Sequence, residues 1–244
     1  MKKIPVILAL VAVAVVAYSM SNWTSKTANS IRASNNITTE TRNADDFDKL
    51  EVAGAFQVYV TYSSTESIEV EAPENLQKHI ELNVRSEKLK IRVKKNTQIK
   101  SSCGLKIHIK TSKLNDFDIS GASSVSLNNM LKDNFFYLKS SGAAKFSGEL
   151  QVKEAEIKLN GASKAHLTGM ATNANLELSG ASNVNDYDFE VNNLNVDMSG
   201  ASSAQITSLK SVKGDVSGAS SLKYEGNPSV DKVHTSGAAS VGRN

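Results

Sequence analysis

One four-residue phrase returns through the second half of the chain and limits what it can fold into more than any other feature. It reads Ser-Gly-Ala-Ser, with Asn in its first place once and Ala in its last place twice. Seven copies occur, with glycines at Gly121, Gly142, Gly161, Gly180, Gly200, Gly218 and Gly237. Successive glycines are nearly evenly spaced, and no interval departs from the others by more than a few places. Self-similarity at such a period is the mark of a repeat architecture in which each copy is one rung.

Alignment on the glycine exposes a period of two on both sides, as expected of strands with one buried face. Two residues before it stand Ile119, Ser140, Leu159, Leu178, Met198, Val216 and Thr235, and four before it Phe117, Leu138, Ile157, Leu176, Val196, Gly214 and Val233. Four residues after it come Val125, Phe146, Ala165, Val184, Ala204, Leu222 and Val241. These positions are expected to face inward and the polar residues between them to face water. About 19 residues at roughly 3.3 Å each trace a path near 60 Å, enough for three short strands joined by bends. A lone rung buries too few apolar side chains to offset the ordering of its backbone. Rungs stacked about 4.8 Å apart would pair their backbone groups and continue one core, which predicts a parallel β-solenoid.

The Gly-Ala pair suits a corner of the coil, since glycine takes positive φ without steric cost. A small Ala beside it lets corners approach, and the flanking Ser and Asn can ladder between rungs or bond their own turn. Flexible Gly/Ser linkers would share the composition but lack the apolar alternation. A phosphate cradle would need a following helix or a Lys-Ser/Thr pair, and none follows.

Ahead of the repeat the chain falls into three stretches. Residues 1–21 carry Lys2 and Lys3, then an apolar run from Ile4 to Tyr18, then small residues, as in a secretory signal; an uncleaved inner-membrane anchor is the alternative. No Cys lies near that boundary to carry a lipid. Residues 22–44 are polar, lack periodicity and read as a tether. Residues 45–114 alternate without the repeat phrase and are expected to begin the solenoid and cover its open end. A turn of helix is expected near Pro73–His79. The repeat itself fills 115–244, and its far rung, near Gly242 and Arg243, is expected to have a bare edge, blunted or buried by a second molecule in a homodimer. With one cysteine, Cys103, no intramolecular disulfide can form. The formal charge of +3 drops to +1 once Lys2 and Lys3 are removed, which argues against nucleic acid as a partner.

The succession DFDKLEVAGAFQVYV, VEAPENLQKHIELNVRSEKLKIRV, LKIHIKTSKLNDFDISGASSV and the later rungs resembles the secreted bacterial family called the "putative autotransporter-adhesin head", or GIN domain, whose function is unknown. The resemblance covers about residues 46–244. It implies an all-β, right-handed, single-stranded parallel β-helix outside the cytoplasm: periplasmic, on the outer-membrane surface or secreted. It supplies no catalytic or binding residues, and its adhesin label is an analogy of fold.

Two groups of outward residues carry chemistry. Three places before each glycine stand Asp118, Lys139, Lys158, Glu177, Asp197, Asp215 and His234. If rungs stack, Glu177, Asp197 and Asp215 crowd three carboxylates, which either raises a pKa or invites a hard cation such as Ca²⁺; a solvated face is the plainer reading. Lys139 and Lys158, with Lys145 and Lys164 three places after their glycines, form a basic counterpart suited to an acidic glycan, or a guard against sheet aggregation. The four histidines lack zinc spacing, no nucleotide or hydrolase motif is present, and no cofactor is implied. The expectation is a non-enzymatic envelope or secreted protein engaged in adhesion or recognition of an envelope glycan or surface protein. The competing class is a carbohydrate-active enzyme on a pectin-lyase-like fold, recognisable by long loops projecting over the acidic column.

Overall fold

The corner glycines stand in a single column. In the computed structural model, which describes residues 29–43, 46–100 and 104–244, Gly142, Gly161, Gly180, Gly200, Gly218 and Gly237 each have φ between +74° and +78°. The carbonyl of each corner glycine accepts a hydrogen bond from the alanine N–H of the next rung: Ala143 to Gly121 at 2.8 Å, Ala162 to Gly142 at 2.7 Å, Ala181 to Gly161 at 2.7 Å and Ala201 to Gly180 at 2.7 Å. The β-ladder therefore continues through the turn. These alanines are exposed, so their N–H groups rather than their size matter. The small buried residue is the one after them, as at Ser123, Ser163, Ser182, Ser202 and Ser220.

Between corners the chain runs as long strands, Lys145–Leu159, Lys164–Leu178, Asn183–Met198 and Ser203–Val216, all parallel to their neighbours. Alternation of buried and exposed residues breaks twice within the first two of these, near Gly148 and Lys153 and again near Gly169 and Thr172. Each rung thus turns three walls around one core. The inward columns are filled as the spacing requires: Ile119, Leu159, Leu178, Met198 and Val216 are buried, as are Phe117, Leu138, Ile157, Leu176 and Val196 and, past the corner, Val125, Phe146, Val184, Ala204 and Leu222. Phe117, Phe136 and Phe146 meet there with ring centroids 5.2–5.8 Å apart. The final rung departs from the pattern, since Thr235 is exposed and Val233 and Val241 only partly buried. The architecture is an all-β parallel solenoid of about seven turns.

Stacking order and chain order part company in the first third. Strands Lys49–Gly54 and Phe56–Tyr62 lie directly against Asp116–Gly121 and Ser124–Leu127, with Gly54 opposite Gly121 and the Ala122 N–H bonded to the Gly54 carbonyl at 2.7 Å. Ala53-Gly54-Ala55 is therefore an eighth corner, although more than three rung lengths of chain separate it from the next. That intervening chain passes beneath it: Lys88–Val93 and Leu105–Thr111 pair in parallel with its other edge. Antiparallel strands then close that end, Ile80–Arg85 on Lys88–Val93, Ser67–Pro73 on Leu105–Thr111, and Ile37–Arg42 on Ser67–Pro73.

The helix turn expected near Pro73 is Glu74–Gln77, with Pro73 just ahead of its first turn. Its buried Gln77 donates to the carbonyls of Thr38 and Val70, at 2.9 and 3.0 Å, and ties the two capping strands together. The polar stretch read as a tether needs correction over Asn29–Ile31, a short strand parallel to Thr97–Ile99, and over Ile37–Arg42, which is a strand as well. Its partner's open edge supplies the backbone bonds, so it needs no apolar face, and Ile37 is about half exposed. Cys103 and the apolar segment of residues 1–21 lie outside the described residues. Among those described, no helix is long and apolar enough to cross a membrane.

A Cβ on Gly180 would meet the Gly161 carbonyl oxygen at 2.7 Å, at a φ of +74°. The left-handed conformation alone costs an L-residue about 1–2 kcal/mol, and the backbone contact adds to it. Gly180→Ala is therefore expected to lower unfolding stability by more than about 2 kcal/mol, whereas Ala181→Gly, at an exposed position, loses less than about 1 kcal/mol. Urea denaturation followed by circular dichroism reads both; equal midpoints would refute the stacked-corner account.

Candidate functional site

The outward column before the corner forms as its spacing implies, and it extends further down. Lys90, Glu51, Asp118, Lys139, Lys158, Glu177, Asp197, Asp215 and His234 lie in successive register. Most of its charge is cancelled internally. Lys90 pairs with Glu51 at 2.7 Å, Lys139 with Asp118 at 4.0 Å, and Lys158 with Glu177 at 2.9 Å and Glu156 at 3.0 Å. Hydrogen bonds to Glu177 and Glu156 hold the Lys158 ammonium above the ordinary lysine range. Glu177, Asp197 and Asp215 are neighbours, but Glu177 is engaged by Lys158. Among the described residues no three His, Cys, Asp or Glu side chains are grouped to hold a metal. The concavity over this column, about 370 Å³, is lined by strand and corner residues, among them Tyr137, Lys139 and Asp197.

Past the corner the surface differs. Lys145 and Lys164 are directly opposite one another on adjacent rungs, both exposed, and among the described residues neither ammonium has an ion-pair or hydrogen-bond partner. The structure thus divides the four lysines into two pairs on either side of a turn: Lys139 and Lys158 neutralised, Lys145 and Lys164 not. Like charges directly across a sheet repel.

Two residues further along stand Ser126, Ser147 and His166, again in one column, with the Ser147 hydroxyl donating to Ser126 Oγ at 2.9 Å. His166 Nδ1 lies against Oδ1 of Asp186, whose Oδ2 accepts the Leu167 N–H at 2.9 Å. Asp186 is buried, which pushes its carboxyl above the usual range, while the Leu167 N–H and His166 pull the other way. The imidazole stays largely exposed, at 64 % for the side chain. These groups line an open trough of about 370 Å³ with Lys145, Lys164 and Asn183.

The spacing of the repeat does not foretell the histidine–aspartate contact, although a trace of it is present. The interval from Gly180 to Gly200 is one place longer than the interval before it. Register shows where the extra residue goes: Ala165 faces Val184, but Gly169 faces Phe189, so the upper strand has gained a residue between the two pairs. Asp186 stands at the inward place two residues after the buried Val184, where the register breaks, and its carboxylate reaches the Leu167 N–H on the rung below; β-bulges interrupt the ladder and re-aim its groups in this way.

On the third wall a concavity of about 600 Å³ brings the exposed Met170 and Leu209 together beside Lys153 and Glu190. Sequence reasoning singles out neither apolar residue, since each occupies an outward place.

Residues 46–228 match the family model described as "Putative auto-transporter adhesin, head GIN domain". No curated protein matches the chain. Among solved structures, a "putative adhesin" from Bacteroides fragilis is similar at a TM-score of 0.81 and 21 % identity, covering 88 % of this chain and 100 % of that one. A "putative adhesin" from Parabacteroides merdae has 0.73 and 20 %, covering 89 % and 100 %. A "putative lipid binding protein" from Parabacteroides distasonis reaches 0.69 and 16 %, covering 88 % and 100 %. At these identities the likeness establishes the fold.

Asp186→Ala would strand the Leu167 N–H in the core, at a cost of about 1–3 kcal/mol, whereas Asp186→Asn keeps an acceptor and is expected to lose less than about 1 kcal/mol. Because burial raises the folded-state pKa of Asp186 above its unfolded value, folding favours its protonated form. The wild type should therefore gain stability relative to Asp186→Asn as pH falls through the carboxylate range. Urea titrations at several pH values measure both; equal losses for Ala and Asn would remove the hydrogen bond from the account.

Proposed function

The chain belongs to the auto-transporter adhesin head GIN domain family, and on that premise we propose that it is an exported, non-enzymatic solenoid that recognises ligands on a cell surface or in the envelope. The observation that carries this reading is the form of the outer surface. Outward side chains recur in register on a shaft whose backbone bonds run unbroken through the corners, so groups on successive rungs are held about 4.8 Å apart at little further entropic cost on binding. Preorganised, extended surfaces of this kind are what repeat proteins use for recognition.

An enzyme on a related coil would build its cleft from insertions. The short and nearly even rung intervals leave little room for them, and the concavity over the acidic column is lined by strand and corner residues. Export is supported by the signal-like character of residues 1–21 and by family membership; periplasm, outer surface and secretion are all consistent with it.

Purified protein applied to fixed bacterial and epithelial cells and to a glycan array is expected to attach saturably, to lose attachment on heat denaturation, and to release no reducing ends from a polysaccharide panel. Reducing-end release that survives purification would replace this reading with the enzymatic one, and absence of saturable attachment to every surface would remove recognition altogether.

A further inference from the structure

The column that holds Ser126, Ser147 and His166 begins lower down with an aromatic step. Tyr59 faces Ser126 on one side and His108 on the other, and it stacks on the His108 ring with centroids 5.1 Å apart and planes 14° from parallel. Ser126, the next residue up, is too small to cover the other face of the tyrosine ring. The column then stays low through Ser147 and rises again at His166. Three rung spacings, about 14 Å, separate Tyr59 from His166. The trough, with hydroxyls on its floor and an imidazole at its far end, thus opens directly above Tyr59, which stands one rung below its lining residues in the same column.

Along one side of that trough stand Lys145 and Lys164, stacked and, among the described residues, without counter-charge. The carboxylate that lines the trough with them, Asp186, is committed to the Leu167 N–H and to His166 Nδ1. That contact also fixes the imidazole, so that Nε2 is the nitrogen left to face a ligand. Two adjacent ammonium groups repel until an anion lies between them, and carboxylate or sulfate oxygens are the natural complement. The hydroxyls of Ser126 and Ser147 and the amides of Asn183 and Asn185 supply the alternating donors and acceptors that sugar hydroxyls require. The open tyrosine face suits the apolar face of a sugar ring, because aromatic side chains offer rigid apolar area beside a polar tip.

We propose that this trough is a binding site for an acidic polysaccharide, lying along the axis with a sugar ring on Tyr59, its carboxylate or sulfate groups on Lys145 and Lys164, and a sugar hydroxyl at His166 Nε2. The site gives the recognition reading a ligand class and rests on that reading. Lys139 and Lys158 are excluded from it, since their charges are already paired.

The test is isothermal titration of the purified protein with polygalacturonate, which carries carboxylates, and dextran sulfate, with neutral dextran and inorganic sulfate as controls. At least one acidic polymer is expected to bind and dextran to give no heat. Lys145→Ala with Lys164→Ala should weaken binding at least about tenfold, and Tyr59→Ala about three- to tenfold. Lys139→Ala with Lys158→Ala should change it by less than about twofold. All these positions are wholly or partly exposed, and unchanged circular dichroism would confirm folding. Equal losses from the two lysine pairs would overturn the site in favour of general attraction between a polyanion and surface lysines. Tyr59→Ala with wild-type affinity, inorganic sulfate that displaces the polymer at equal concentration, or no binding of either acidic polymer would also overturn it. In the last case saturable attachment to cells would leave the recognition reading intact, and its absence would remove that reading as well.

Discussion

The interaction on which the rest depends is the hydrogen bond from each corner alanine N–H to the carbonyl of the glycine one rung below. A strand needs partners only along its length, and a turn is where a sheet usually stops. Here the turn is itself a rung of ladder, because a residue at φ near +75° can point its carbonyl up the stack. Any Cβ at that place would sit 2.6–2.9 Å from the glycine oxygen below it, from Gly142 upward. Steric demand and hydrogen-bond demand fall on the same atom, so one residue type satisfies both. Once corners stack, every other column follows, and a side chain's height and wall are set by its distance from the nearest glycine.

That rigidity explains why so much is legible in the sequence. The apolar places at two and four before the glycine and four after it follow from offsets alone, and nearly all prove buried in line with one another. The same is true of the charged column from Asp118 to His234. In an in-register parallel stack, sequence interval converts to position without knowledge of packing. The conversion fails where the interval is irregular. Gly54 belongs to the column, yet the whole capping excursion separates it from Gly121, and a search for a short period passes over it. Asp186 is hidden for a subtler reason. Its place is inward by the same alternation that buries Val184, but offsets announce an apolar residue there, and the length of the rung shows only that one residue is surplus, not that the ladder breaks beside Leu167. Here a carboxylate could satisfy the buried Leu167 N–H.

The capping region is legible in kind but not in order. Its alternating strands show that it is β and that it should close one end. They do not show that the first rung laid down would be enclosed from both sides by later chain, with Lys88–Val93 on one edge and Asp116–Gly121 on the other. Antiparallel pairing at that end has a physical use. A parallel stack offers an unsatisfied edge to any further strand, and reversing direction, as Ser67–Pro73 and Ile37–Arg42 do, ends the ladder with strands whose outward residues, apart from Ile37, are polar and charged.

The same reasoning bears on the two lysine pairs. A lysine on a strand edge is a common defence against unwanted pairing, and that is one reading of all four. Lys145 and Lys164 do not stand on an edge. Strand Lys145–Leu159 is paired with Ser124–Leu127 on one side and with Lys164–Leu178 on the other, and Lys164–Leu178 is paired again with Asn183–Met198. From Gln57 upward their column is otherwise neutral, through Ser124, Asn183, Ser203, Ser221 and Ser240, and the lysine below Gln57, Lys106, is paired with Glu71, so a general need for solubility does not select these two rungs. Before the corner, each lysine meets an acid on the rung beside it or on its own strand; after the corner, two lysines meet only each other. A fold that places charges by simple counting had a neutral arrangement available within one residue exchange, and the uncompensated pair lies where the trough is open and its floor carries hydroxyls. Edge protection leaves that coincidence unexplained, whereas a ligand bearing negative charge accounts for both halves of it.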